Sequence, residues 1–242
     1  MTTRNESPRL AVLIDADNAQ ASLVQELLAE VSRYGTATIK RAYGDWTTPQ
    51  LGQWKKVLHA HAIQPIQQFR YTSGKNASDS ALIIDAMDVL HGRQVEGFCV
   101  VSSDSDFTRL ATRIREAGLK VYGFGEKTPP EPFVAACDKF IYTEILQAPT
   151  ETTATVDQPK LKPLLLQALD GVARDDGWAA LSALGSQLSR IDPAFDSRNY
   201  GVAKLGDLVR KQGYLETKEV AAGEHGQHMN LHLRRRVRTG ST

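Results

Sequence analysis

Between residues 10 and 124, short apolar runs alternate with segments whose apolar positions recur every three or four residues. Leu10–Ile14 is an unbroken apolar run, the pattern of a strand buried on both faces. Leu23, Leu27, Leu28 and Val31 come next at helical spacing, and Thr36–Tyr43 is a β-branched strand. A helix is expected around Leu51, Trp54, Val57 and Leu58. Ile63–Phe69 reads as a third strand, which Pro65 confines to an edge or a bulge. The apolar helix Ala81–Leu90 leads to the buried strand Phe98–Val101. Leu110, Ile114 and Ala117 mark a helix ending at Gly118, and Leu119–Phe124 is one more strand. Such β-α alternation predicts a parallel sheet with helices on both faces and right-handed crossovers.

The pattern changes after Ala148–Pro159, a Thr- and Pro-rich stretch with almost no bulky apolar residue, which reads as a linker. Beyond it, three amphipathic helices are expected. They are centred on Leu161–Leu169, on Leu181–Ile191 and on Val202–Val209. Tyr214-Leu215 and the alternating Met229–Leu233 then suggest a hairpin. Three helices and a hairpin is the order of a small winged-helix-like α+β domain. The domains expected are therefore 1–147, a linker over 148–159, 160–235, and a basic tail over 236–242.

Composition narrows the class without identifying the chemistry. With 41% hydrophobic and 24% charged residues in 242, the chain is globular rather than disordered or collagen-like. No apolar run approaches the ~18 residues of a membrane span, and the first ten residues lack the apolar core of a secretory signal. The two cysteines, Cys99 and Cys137, lie in apolar runs, so a reducing cytoplasm is the expected compartment. Net charge is +1 overall. Residues 1–147 hold 16 Lys and Arg against 17 Asp and Glu, and residues 148–242 hold 13 against 11. That balance neither demands nor forbids a polyanionic partner.

The chemistry lies in the loops just past the strands, because open parallel sheets bind ligands beyond their carboxyl ends. After Leu10–Ile14 comes Asp15-Ala16-Asp17-Asn18, and after Phe98–Val101 comes Ser102-Ser103-Asp104-Ser105-Asp106. Asp79 opens the helix through Ala81–Leu90. Each acid alone is accounted for as a cap or a first-turn residue. Their recurrence at strand ends predicts a shared pocket. Carboxylates that close repel one another and call for cations, and hard oxygen donors suit Mg²⁺ or Mn²⁺. Such clusters commonly serve phosphate chemistry, with Lys75, Lys40 and Arg41 as candidate phosphate-orienting groups. Asp85 and Asp88 read as a solvated helix face.

Four segments in order carry a family resemblance: LAVLIDADNA (10–19), KRAYGDW (40–46), GKNASDSALIIDAMD (74–88) and VVSSDSDFTRLATRIREAGLKVYGFG (100–125). Residues 8–145 resemble the NYN domain of the PIN-like nuclease superfamily. The resemblance implies a five-stranded parallel sheet with the first and fourth strands adjacent. It also implies metal-dependent RNA cleavage, and the mechanism expected for such a site leaves a 5′-phosphate and a 3′-hydroxyl. Asp15, Asp79, Asp104 and Asp106 would be the catalytic, metal-holding acids, with Asn18 and Ser103 in support. Asp17 falls where the family varies, and Asp45 reads as a turn acid beside Trp46. Residues 160–235 resemble the LOTUS, or OST-type helix-turn-helix, domain through Asp176-Gly177-Trp178, Asp192–Gly201 and Lys204–Leu208. That resemblance implies RNA or a protein as partner. Arg198, Lys204, Arg210 and Lys211 would contact phosphates, and Trp178, Phe195, Tyr200 and Leu205 would be core.

Two other readings compete. One is a non-catalytic RNA-binding adaptor whose acidic pocket holds a metal or a nucleotide end without turnover. The other is a haloacid-dehalogenase-like phosphatase, since Asp15–Ala19 partly mimics a D-x-D-x-[TV] loop with Asp15 as nucleophile. Ala19 departs from that pattern. Gly74-Lys75 lacks the flanking residues of a phosphate-cradling P-loop, and His225 and His228 lack a Cys pair for zinc.

Overall fold

A computed structural model describes residues 7–69, 77–127, 131–147, 158–222 and 228–236. The chain separates into two compact units, Met1–Thr150 and Glu151–Thr242.

In the first unit the elements run β1 (Arg9–Asp15), α1 (Val24–Val31), β2 (Thr36–Gly44), α2 (Trp54–Ala60), β3 (Gln64–Gln67), α3 (Ala77–Gly92), β4 (Gly97–Val101), α4 (Thr108–Glu116), β5 (Lys120–Gly125), α5 (Glu131–Ala136) and β6 (Lys139–Tyr142). The six strands order as β3-β2-β1-β4-β5-β6, and every pairing is parallel. The sheet therefore has six strands where five were expected. The extra strand is Lys139–Tyr142, which pairs with Tyr122–Gly125. Its four residues are too few to show a period, and it lies on the sheet edge, where pairing on one side suffices. Pro65 sits in the opposite edge strand, where its missing N–H costs no ladder bond.

Strand parity divides the core. Leu10, Val12 and Ile14 face α1 and α2, packing with Val24, Leu27, Val31, Trp54 and Leu58. Each such fully buried aliphatic side chain contributes about 1.5–3 kcal/mol. The odd positions Ala11, Leu13 and Asp15 face the other side, where α3 packs on β1 and β2. Gly118, at φ +83°, ends α4 in the left-handed cap that glycine adopts without strain. Strand order runs outward in opposite directions from β1 and β4, so their exit loops part to opposite faces and leave a crevice.

The second unit contains α6 (Gln158–Asp170), β7 (Ala179–Ala180), α7 (Leu181–Ile191), α8 (Leu205–Arg210), β8 (Leu215–Ala222) and β9 (His228–Arg235). Its antiparallel sheet has the order β7-β9-β8. Leu165, Leu184, Leu188, Val209 and Leu233 form a fully buried centre, with Phe195 against it. Tyr200 and Leu205 pack on that centre only partly buried, while Trp178 is nearly covered. Lys218 Nζ lies 3.9 Å and Arg234 Cζ 4.6 Å from the Trp178 ring centroid, so two cations rest against that ring. α6 starts at Gln158, two residues before the expected boundary.

Candidate active site

The acids gather where β1 and β4 end. Asp15 is the last residue of β1 and is 1% exposed. Its carbonyl accepts from the Ala19 amide at 2.9 Å, turning the chain sharply after the strand. Its carboxylate accepts from Asn18 Nδ2 at 2.7 Å and from Ser102 Oγ at 2.8 Å. Burial pushes the Asp15 carboxyl above its ordinary value, against the opposing pull of the Asn18 and Ser102 bonds.

Ser102 joins the two strand ends. Leu13 pairs with Val100 and Ile14 with Val101, so the next rung brings Ser102 beside Asp15 on the same face. Ser102 Oγ also accepts from the Asp104 amide at 3.1 Å. Asp104 in turn caps the short turn Ser105–Phe107, accepting from the Asp106 amide at 2.9 Å. Capping and clustering are thus compatible, because the cap bond fixes the spacing of Asp104 and Asp106.

Asp79 arrives from the first turn of α3 and is 8% exposed. One carboxylate oxygen each from Asp79, Asp104 and Asp106 lies within 4.8 Å of the others. Burial first, and then the charges of Asp15, Asp104, Asp106 and Asp17, push the Asp79 carboxyl up to about 6. Three oxygen donors at this separation fit one hard divalent cation, which would also relieve their mutual repulsion. Asp17 lies beside them and accepts from Ser78 Oγ at 3.0 Å, tying the β1 loop to the start of α3.

Other expected site residues fall elsewhere. Ser103 points away from Asp15, and its Oγ accepts from the Glu126 amide at 2.8 Å. The serine touching Asp15 is Ser102, which period-2 counting along β4 identifies and composition alone does not. Lys40 donates to the His61 carbonyl. Arg41 pairs with Asp85 at 2.9 Å, and Tyr43 donates to the same carboxylate at 3.0 Å. Asp85 is therefore a half-buried ion-pair partner rather than a solvated acid, whereas Asp88 is exposed. Lys75 lies outside the described residues. Asp45 accepts from Thr47 and Gln67, as a turn acid beside Trp46 should. In the second unit, Arg198 lies bidentate on Asp196, and Arg210 pairs with Glu219 at 2.8 Å. Lys204 and Lys211 are exposed and make no ion pair among the described residues.

Comparison with known proteins gives two matches in order along the chain. The sequence model of the NYN domain matches residues 9–146, and that of the OST-HTH/LOTUS domain matches residues 157–226. No curated protein matches the chain. Among solved structures, a protein of unknown function from Vibrio parahaemolyticus is 17% identical with a TM-score of 0.49. The alignment covers 57% of this chain and 94% of that one. An uncharacterised protein from Nitrosomonas europaea is 31% identical over 39% of this chain and 90% of its own, with a TM-score of 0.33. A Chromobacterium violaceum protein is 35% identical over 38% of this chain and 94% of its own, with a TM-score of 0.28.

Proposed function

The chain belongs to the NYN family, with an OST-HTH/LOTUS domain after it, and on that footing we propose that it is a divalent-metal-dependent endoribonuclease. The NYN domain is a branch of the PIN-like nuclease superfamily, and the LOTUS domain is an RNA-binding module. The observation that carries the proposal is the convergence of Asp79, Asp104 and Asp106 on one point at the sheet's switch.

In this reading Asp79, Asp104 and Asp106 would hold Mg²⁺ or Mn²⁺, while Asp15, expected as a fourth ligand, lies outside that three-oxygen cluster and adds its charge to the site. When bound, the cation supplies Lewis-acid stabilisation of the phosphodiester and a nucleophile at neutral pH. The side chains orient. Ser102 fixes Asp15 relative to the Asp104 loop, Asn18 holds Asp15 from the other side, and the Asp104 cap bond sets Asp106. Asp79 must release its proton to bind a cation, so protons compete with the cation below about pH 6. Cleavage leaves a 5′-phosphate and a 3′-hydroxyl.

The second unit, read as winged-helix-like from its three helices and the β8–β9 pair, presents Lys204 and Lys211 to phosphates. Tethering it to the nuclease raises its effective concentration at the RNA, so a weak contact suffices. The two free cysteines, both buried, suit a reducing compartment, and we assign the protein to the cytoplasm. Among the described residues, no helix is long and apolar enough to cross a membrane.

The test is incubation of RNA with the purified protein, with Mn²⁺ or with EDTA, beside Asp104→Asn. Cleavage by the wild type in Mn²⁺ alone supports the assignment. Equal cleavage by wild type and variant refutes it, and an electrophoretic shift without product in Mn²⁺ points to an adaptor instead.

A further inference from the structure

We propose that a groove beside the carboxylates seats one nucleobase of the RNA, adenine in preference to the other bases, and so sets where the strand is cut. The inference rests on the nuclease reading. The groove has a volume of about 630 Å³ and opens between the exit loop of β1 and the turn that leads into α2. Binding sites for small ligands span ~300–1,000 Å³, so there is room for a base and its sugar.

Its lining separates a base from a phosphate. Gln50 and Gln53 are exposed at its rim, while Leu51 and Trp54 lie beneath it and are almost fully covered. Among the described residues, the groove has no Lys or Arg in its lining, and its one charge is the carboxylate of Asp17. A phosphate would be repelled there. An uncharged flat ring meets no such repulsion, and its hydrogen-bonding edge suits the neutral amides of Gln50 and Gln53. Single-stranded RNA is read in this way, through splayed bases bonded along their edges. A glutamine amide offers a donor and an acceptor side by side, which is the complement of adenine's N6 and N7.

Position links the groove to the chemistry. Asp17 forms part of its wall and also accepts from Ser78 at the start of α3, one residue before Asp79. Ala16, another wall residue, directly succeeds Asp15. Gly44 lets the two walls approach, because a Cβ there would stand 2.6 Å from Leu51 Cδ1 and 3.8 Å from Asp17 Oδ1. A base held in the groove therefore belongs to a nucleotide next to the scissile phosphate.

The experiment treats a single-stranded RNA of randomised sequence with full-length protein and Mn²⁺, and sequences the bases flanking each cut. Adenine should be enriched at one flanking position by at least about fivefold, the discrimination of one bidentate amide pair. Gln50→Ala/Gln53→Ala should flatten that preference while cleavage beside the other bases persists. Gln53→Glu, which exchanges a donor for an acceptor, should move the preference toward cytosine. An even profile in the wild type, or the same adenine bias in the double variant, overturns the proposal. If the wild type does not cut at all, the nuclease reading fails, and binding of adenosine monophosphate in EDTA decides the groove separately. Leu51 methyl NMR signals should shift with adenosine monophosphate more than with cytidine monophosphate, and should stay still in the double variant. Their failure to shift in the wild type overturns the groove as a base site.

Discussion

Asp79→Asn should make the metal-depleted protein more stable while removing its response to divalent cations. Asp79 is 8% exposed, and the carboxyl rises from 3.8 to about 6 through burial and four neighbouring negative charges. A rise of roughly two units is a penalty of on the order of 2–3 kcal/mol for keeping the ionised form in the fold. The sign comes from proton binding. Between pH 3.8 and about 6 the folded state holds the Asp79 proton that the unfolded state has released, so stability falls as pH rises through this window. Above about 6 the penalty is complete. Asparagine has the same shape and no charge, so it escapes the penalty at neutral pH. The assay is urea unfolding in EDTA at pH 7.5 in a Trp178→Phe background, where Trp46 and Trp54 report on the first unit alone. The variant should gain roughly 2 kcal/mol over its parent. Lowering the pH from 7 to 5 should return about 1 kcal/mol more to the parent than to the variant. Adding Mn²⁺ should stabilise the parent and leave the variant nearly unchanged. A variant no more stable than its parent in EDTA, or one with the same pH slope, refutes the reasoning.

Ser102→Ala should raise the Mn²⁺ concentration for half-maximal RNA cleavage by about 10–100-fold, the usual cost of removing a group that orients metal ligands. Ser103→Ala, which loses only an acceptor for the Glu126 amide, should raise it far less, as paired metal titrations will show. Asp85→Ala should destabilise the first unit by about 1–3 kcal/mol in urea unfolding, since it strips the buried end of Arg41 and the Tyr43 hydroxyl of their shared acceptor. Below pH 6 the apparent Mn²⁺ affinity should fall up to about tenfold per pH unit as a proton competes at Asp79, and titration at pH 7 and pH 5 checks this. Lys204→Ala/Lys211→Ala should reduce the salt slope of single-stranded RNA binding by about 1.4, at about 0.7 per phosphate contact. Arg198→Ala should alter it little because Asp196 already holds that guanidinium, and binding isotherms at several salt concentrations separate the cases.

Local pattern determined much of the first unit. Short unbroken apolar runs such as Leu10–Ile14 and Phe98–Val101, set in alternation with helical patterns, suit a sheet covered on both faces. An acid at the end of such a run is carried to the carboxyl end of the sheet. Asp15, Asp104 and Asp106 were legible for that reason, and so was Pro65 at an edge. The short edge strand Lys139–Tyr142 was not, because four residues carry no period and its pairing partner lies elsewhere in the chain. The roles of cations were equally hidden. Arg41 and Asp85 are 44 residues apart, and only the packing of α3 across β2 brings the ion pair together. The choice of Ser102 over Ser103 depended on β1 and β4 lying side by side in register. The groove of amides depended on two loops meeting over Gly44. Helices, caps and long apolar strands are set by a residue's near neighbours, so the sequence itself determines them. Which side chains face one another across the sheet is decided by the tertiary structure, because register and layer order bring together groups that chain distance keeps apart.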